Sequence, residues 1–267
     1  MKRVKQIIII LITLLSSLIF FGFFIEPENL EVTHMWPDNP VLKNKLKGKT
    51  AVHLSDIHID QIGSLENKII NLLEEIKPDF IFLTGDYVKW DGDYKPALAF
   101  LSQLKAKSGI YAVMGDYDYS NSRRSCLFCH TKGTGERTET HTVKFLRNSK
   151  TDIFLPSGKL TIAGIDRENK DDPGDISEAD IILCHNPLSL DDIKSTDEVL
   201  VLSGDTHGGQ IPLPSWLWRL LGYEKNAKYD RGLFKEGKKE MYVSRGIGTS
   251  HVHFRLFRRP ELMVLHF

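Results

Sequence analysis

VLVLSGDTHGG, residues 199–209, runs five uncharged residues straight into a turn bearing Asp205 and His207. A short aliphatic run without polar alternation reads as a strand buried on both faces. Four other segments repeat that grammar. AVHLS (51–55) ends at Asp56-Ile57-His58, FIFLT (80–84) at Gly85-Asp86, IYAVM (110–114) at Gly115-Asp116-Tyr117-Asp118, and DIILC (180–184) at His185-Asn186. LTIAGI (160–165) is a further buried strand. Residues 64–76 predict a helix, with Leu65, Ile69, Leu72, Leu73 and Ile76 on one stripe and Ser64 as N-cap. Residues 96–107 predict a second helix, opened by Pro96. Strands alternating with helices imply an α/β fold, whose ligands gather beyond the carboxyl ends of the strands.

A chain of 267 residues, 41% of them apolar, has material for one large or two small domains and is not disordered. Its 35 basic and 35 acidic side chains cancel, which argues against a nucleic-acid binder held by bulk charge. Three Cys are too few for a disulfide scaffold. IIIILITLLSSLIFFGFF (7–24) is 18 residues without a charge, long enough at roughly 27 Å to cross a bilayer core. Lys2, Arg3 and Lys5 precede it, and Glu26, Glu28 and Glu31 follow. The expectation is an uncleaved anchor over 1–25, a proline-marked linker over 26–48, and a domain over 49–267 carried to the outer, extracytoplasmic face. A cleaved signal is the rival reading of the same segment.

One Asp after a strand is most often a turn former. Five clusters at strand ends are better explained by a metal site in which a carboxylate bridges two ions. Asp56, His58, Asp86, Asp116, His185, Asp205 and His207 are the candidate ligands.

The order D-x-H, G-D, G-D-Y-D, H and G-D-T-H resembles the calcineurin-like metallophosphoesterases. Their pattern is D-x-H, G-D, G-N-H-D/E, H and G-H-x-H. GDTHGGQIPLP (204–214), YVSRGIGTS (242–250) and RRPELMVL (258–265) are similar to a membrane-anchored branch. That branch includes UDP-2,3-diacylglucosamine pyrophosphatases and cell-envelope phosphoesterases. The resemblance implies a four-layer αββα sandwich, which the strand pattern alone does not separate from a doubly wound sheet. It implies hydrolysis of a phosphoester or pyrophosphate, of a lipid-linked substrate in that branch, with two divalent ions (Mn, Fe, Mg or Zn). Asp56, His58 and His207 would hold the first ion, Asp86 would bridge, and His185 would serve the second.

Three positions depart from the pattern. Asp116 replaces Asn, Tyr117 replaces His, and Asp205 replaces the first His of G-H-x-H. Asp116 and Asp205 can still ligate through oxygen, and they make the second site harder and more anionic, favouring Mn²⁺, Mg²⁺ or Fe over Zn²⁺. The resemblance implies that Tyr117, with Asp118 after it, takes the catalytic position, where a phenol donates a hydrogen bond but is a poor proton shuttle at neutral pH.

Cys126-Leu127-Phe128-Cys129-His130 matches the C-x-x-C-H attachment pattern of c-type haem. It lies in an inserted segment near 120–150. Covalent haem with His130 as axial ligand, a local disulfide, and zinc with His141 are the three readings. Haem there would make the chain a redox or sensor protein on a weakened phosphoesterase domain, the alternative function. His251-x-His253 reads as an exposed strand face or as a distal ligand. Cys184, in a strand core, reads as inert. PLPSWLWRLLG (212–222) is too apolar for a solvated loop and reads either as a cap on the core or as a rim facing lipid.

Overall fold

The computed structural model of the chain describes residues 2–90, 92–119, 141–166, 176–193 and 197–267. Its strands in chain order are β1 (Glu31–Met35), β2 (Thr50–Leu54), β3 (Phe80–Thr84), β4 (Gly109–Val113), β5 (Lys144–Phe145) and β6 (Ser149–Leu155). They continue with β7 (Gly158–Ile165), β8 (Ile181–Cys184), β9 (Val199–Ser203), β10 (Gly232–Glu236), β11 (Lys239–Val243) and β12 (Glu261–His266). The helices are α1 (Lys2–Phe20), α2 (Pro40–Lys45), α3 (Ser64–Ile76), α4 (Tyr94–Leu101), α5 (Ser215–Leu220) and α6 (Glu224–Lys228).

Two six-stranded sheets face one another. The first runs β1-β12-β2-β3-β4-β5, the second β10-β11-β9-β8-β7-β6. The first is parallel except where β12 meets β2. The second is parallel across β7, β8, β9 and β11, with antiparallel partners at both edges. Side chains alternate along each strand. Phe80, Phe82 and Val113 therefore point between the sheets against Ile162, Leu183, Leu200 and Leu202. Ile81 and Leu83 point outward, onto Leu65, Ile69 and Leu73 of α3 and Ala97, Phe100 and Leu101 of α4. The outer face of the second sheet is covered more thinly, by the 3₁₀ turn Pro187–Asp191 with Ile193 and Tyr229. The order is α, β, β, α, as the resemblance implies.

Local boundaries differ from the sequence reading. Ser64 is the first helical residue of α3 and not its cap; the Glu66 carboxylate accepts the Gly63 N–H at 2.7 Å. Residue 94, not 96, opens α4, because the Asp93 side chain caps it by accepting from Lys95 N–H. The stretch 26–48 is more than a linker. It carries β1, paired in parallel with β12, and α2, whose Leu42 is buried between the sheets with Leu46. His251 and His253 stand in an exposed loop and not on a strand.

From Ile7 onward α1 carries no charge on any face, and the helix buries no residue in the protein, as one surrounded by lipid would. Its continuation is tied to the domain. Gly22 O accepts from Arg255 N at 3.0 Å, Phe23 meets Phe254 edge-on, and the Glu26 carboxylate accepts from Phe257 N at 2.7 Å.

Candidate metal centre

β2, β3, β4, β8 and β9 end on one side of the molecule, and the residues that follow them turn sharply. Asp56, His58, Asp86, Asp205 and His207 all have φ between 48° and 71°. That left-handed backbone costs a non-glycine residue roughly 1 kcal/mol or more and persists only where neighbours enforce it. Here they do. His58 N donates to Asp86 O (2.9 Å), Gly248 N to Asp56 O (2.7 Å), and Tyr117 N to Asp86 Oδ1 (2.8 Å). Two glycines permit the approach: a Cβ on Gly115 would lie 2.2 Å from Asp86 Oδ1, and one on Gly204 1.8 Å from Ser55 Oγ. The Gly-Asp pairs thus place each carboxylate where the next loop must pass close by.

All seven candidate ligands converge. Asp56, His58 and His207 form one group, Asp56, Asp86 and His185 a second, Asp116, His185 and Asp205 a third. Each group draws on both sheets. Asp86 Oδ2 lies 3.5 Å from His58 Nε2 and 3.5 Å from His185 Nε2, midway between the two halves of the site. His58 Nδ1 donates to Val88 O (3.2 Å) and His185 Nδ1 to Thr84 O (2.7 Å). Both tautomers leave the Nε2 lone pair facing the carboxylates, the arrangement of metal-binding imidazoles.

The donor set fits divalent cations. His185 Nε2 is buried without a hydrogen-bond partner among the described residues. His58 Nε2 and His207 Nε2 lie 3.1 Å apart. Two ligands at right angles about 2.1 Å from one ion are separated by roughly 3 Å. Electrostatics agree. Burial pushes the Asp56 carboxyl up to about 7, with Asp86 and Asp205 adding to the effect. Burial acts on Asp86 in the same direction, but His185, His58 and the Tyr117 N–H outweigh it and hold Asp86 below the usual carboxylate range. His207 is kept neutral by burial, His58 and Arg255. Burial opposes charge on His185, yet Asp86, Asp205 and Asp56 raise its pKa well above the ordinary value. The pocket concentrates anionic oxygen and draws in positive charge.

Tyr117 sits at the mouth, its ring edge-on to His58 (4.6 Å) and to Trp90 (5.4 Å). Burial and the carboxylates of Asp86, Asp205 and Asp56 push its phenol up to about 12. Asp118 lies beneath the site. Its carboxylate accepts from the backbone N–H groups of Asp86, Tyr87 and Gly115, each at 2.8 Å, so it holds two ligand loops in place. Cys126, Cys129 and His130 lie outside the described residues. Cys184 is fully buried, and burial pushes its thiol up to about 12.

Two neighbours of the site carried no local signal in the sequence. Lys225 of α6 pairs with both carboxylate oxygens of Asp205. Arg255, fully buried, donates to Arg245 O (2.9 Å), Arg258 O (3.0 Å) and Gly248 O (2.5 Å), with Nη2 3.5 Å from His207 Nδ1. It knots the last loops together under a ligand. The rim 212–222 divides. Trp218 is buried against Gly209 and Tyr223, whereas Trp216 and Leu220 are 63% and 75% exposed.

Acid and imidazole side chains at adjoining strand ends of a two-sheet α/β fold make a candidate metal centre suited to hydrolysing a phosphoester. Residues 49–209 match the model of the calcineurin-like phosphoesterases, and the chain belongs to that family. It is similar to the phosphodiesterase YaeI of Escherichia coli, at 30% identity over 79% of this chain and 79% of the relative. It is also similar to the uncharacterized metallophosphoesterase YkuE of Bacillus subtilis (28%, over 91% and 87%). The UDP-2,3-diacylglucosamine pyrophosphatase LpxG of Chlamydia muridarum shares 25% over 90% of both chains.

Proposed function

We propose that the chain is a membrane-anchored, two-metal phosphoesterase acting on a lipid-linked phosphoester or pyrophosphate. The observation that carries the metal assignment is Asp86 Oδ2, equidistant from His58 Nε2 and His185 Nε2. Asp56, His58, Asp86 and His207 would hold one ion; Asp86, Asp116, His185 and Asp205 the other. Bound divalent ions supply Lewis-acid polarisation of phosphoryl oxygens and neutralise charge as the ester is cleaved. The chain's own groups orient the reactants. Val88 O and Thr84 O fix the two imidazoles, Asp118 fixes the loops of Asp86 and Gly115, and Tyr117 offers its O–H at the mouth. A phenol that keeps its proton is a donor for a phosphoryl or leaving-group oxygen and not a base.

A lipid-linked substrate is supported by α1, by the exposed Trp216 and Leu220, and by the names of the LpxG relatives. Lys2, Arg3 and Lys5 ahead of α1 support an extracytoplasmic catalytic domain. The test is metal analysis of the purified protein, with hydrolysis of bis(p-nitrophenyl) phosphate and of a lipid-linked pyrophosphate in mixed micelles. About two ions per chain and metal-dependent cleavage are expected. Full activity after exhaustive chelation refutes the metal assignment, and indifference to the lipid chain refutes the substrate class.

A further inference from the structure

His251 is a solvent-exposed imidazole that enters the mouth of the site from a loop with no part in the ligand set. Its Nε2 lies 3.1 Å from Tyr117 Oη. The loop is built and not free-hanging. Gln210, just after the ligand-bearing turn 207–209, accepts from Ser250 N (3.0 Å) and Ser250 Oγ (2.9 Å), and its amide donates to Val252 O (3.2 Å) and Phe254 O (2.7 Å). His251 is held between these clamped residues. Tyr117 in turn is wedged between the rings of His58 and Trp90, so the phenol oxygen has one neighbourhood and the imidazole meets it there.

We propose that His251 is the proton-delivering partner of Tyr117: the last loop supplies the imidazole that position 117 lacks, and the two side chains hand one proton to the departing oxygen of the phosphoester. This rests on the phosphoesterase reading of the site. In the step, the oxygen of the attacking water forms the new bond to phosphorus and its proton passes to solvent. The bond from phosphorus to the leaving oxygen breaks, and that oxygen takes the Tyr117 O–H proton. Tyr117 Oη takes a proton from His251 Nε2, 3.1 Å away. Tyr117 begins and ends protonated, and the exposed His251 regains its proton from water. A lone phenol would have to surrender its proton without replacement, which makes it a weak acid catalyst; the imidazole removes that obstacle. His251 acts through Tyr117 and is a positioning residue in this scheme.

The experiment uses the full chain in detergent, with phosphodiesters whose leaving groups run from p-nitrophenol through phenol to benzyl alcohol. His251→Ala is expected to lower kcat about tenfold or more for benzyl alcohol and phenol, and less than about threefold for p-nitrophenol, which departs without a proton. KM and metal content should hold. Tyr117→Phe should show the same leaving-group pattern, and the double variant should be no worse than Tyr117→Phe alone, because the two form one chain. Tyr117→His in the His251→Ala background should recover the loss by returning an imidazole to the mouth. Equal losses across the series, additive losses in the double variant, or no recovery would overturn the inference. A wild-type protein that binds metal but cleaves none of these esters would overturn the reading of the site and this inference with it.

Discussion

Asp86 is the residue on which both halves of the site lean, through one oxygen 3.5 Å from each of two imidazoles. Asp86→Ala should abolish phosphodiesterase activity and remove most bound metal, read by mass spectrometry of the metal content; full occupancy would show that Asp86 does not bridge. Metal-free protein should also show a characteristic pH dependence. Asp56 and Asp118, both pushed up to about 7, and His185, raised well above its ordinary value, bind protons more tightly when folded. Their contribution to stability is present at low pH and lost as pH rises through those folded values. His53, His58 and His207 are depressed, so they oppose this trend only below about 6.5, where the unfolded chain would protonate them. Above 6.5 that opposition ends. The Tm of chelated protein should therefore fall between about pH 6.5 and 8, and added Mn²⁺ should raise Tm more at pH 8 than at pH 6.5, since ligands must shed protons to bind. A flat or rising Tm in chelator would contradict these assignments. The seven candidate ligands were legible in the sequence because each follows a buried strand closely, in Asp-x-His, Gly-Asp, Gly-Asp-x-His or a lone His. Lys225, Arg255 and the meeting of His251 with Tyr117 were not, since each depends on loops distant in sequence.

Among the elements, β1 and α2 show where local pattern runs out. Pro37 and Pro40 make 26–48 look like a connector, and nothing nearby in sequence reveals that Glu31–Met35 will pair with the last strand of the chain. Edge strands of this kind are defined by their partner more than by their own composition. α2 is equally cryptic, six residues with Pro40 at its first turn and the Asn39 side chain capping Leu42 N–H at 2.9 Å. Its payload is Leu42, fully buried between the sheets. Leu42→Ala should cost about 2–4 kcal/mol in urea denaturation, as a core truncation does. A change within about 0.5 kcal/mol, the usual size for a surface site, would mean that this segment is a connector after all. The strands of the two central layers were readable because they are short, uniformly apolar and punctuated by turn residues. The layer over the second sheet was not, its helical part among the described residues being the 3₁₀ turn Pro187–Asp191, too short to show a period.

For the whole molecule, the proposed anchor would decide which compartment the site faces. A reporter active only outside the cytoplasm, fused after Phe267, should give signal. Silence there, with signal from a cytoplasmic reporter, would reverse the orientation and place the site beside nucleotide-linked lipids. A second property follows from the path of the chain. It leaves the first sheet at 146–148 and returns to it at 244–260, so all strands of the second sheet, β6 to β11, come from one uninterrupted part of the chain. Each group of candidate ligands takes members from both sides of that division. An ion held by these groups would therefore be a clasp across the sandwich, and parting the halves would break its bonds to one of them. The rate of unfolding, more than the rate of folding, should track free metal, because a clasp that needs both sheets in register forms late. In a compartment poor in metal, the lifetime of the folded chain, and not only its turnover, would then depend on metal supply.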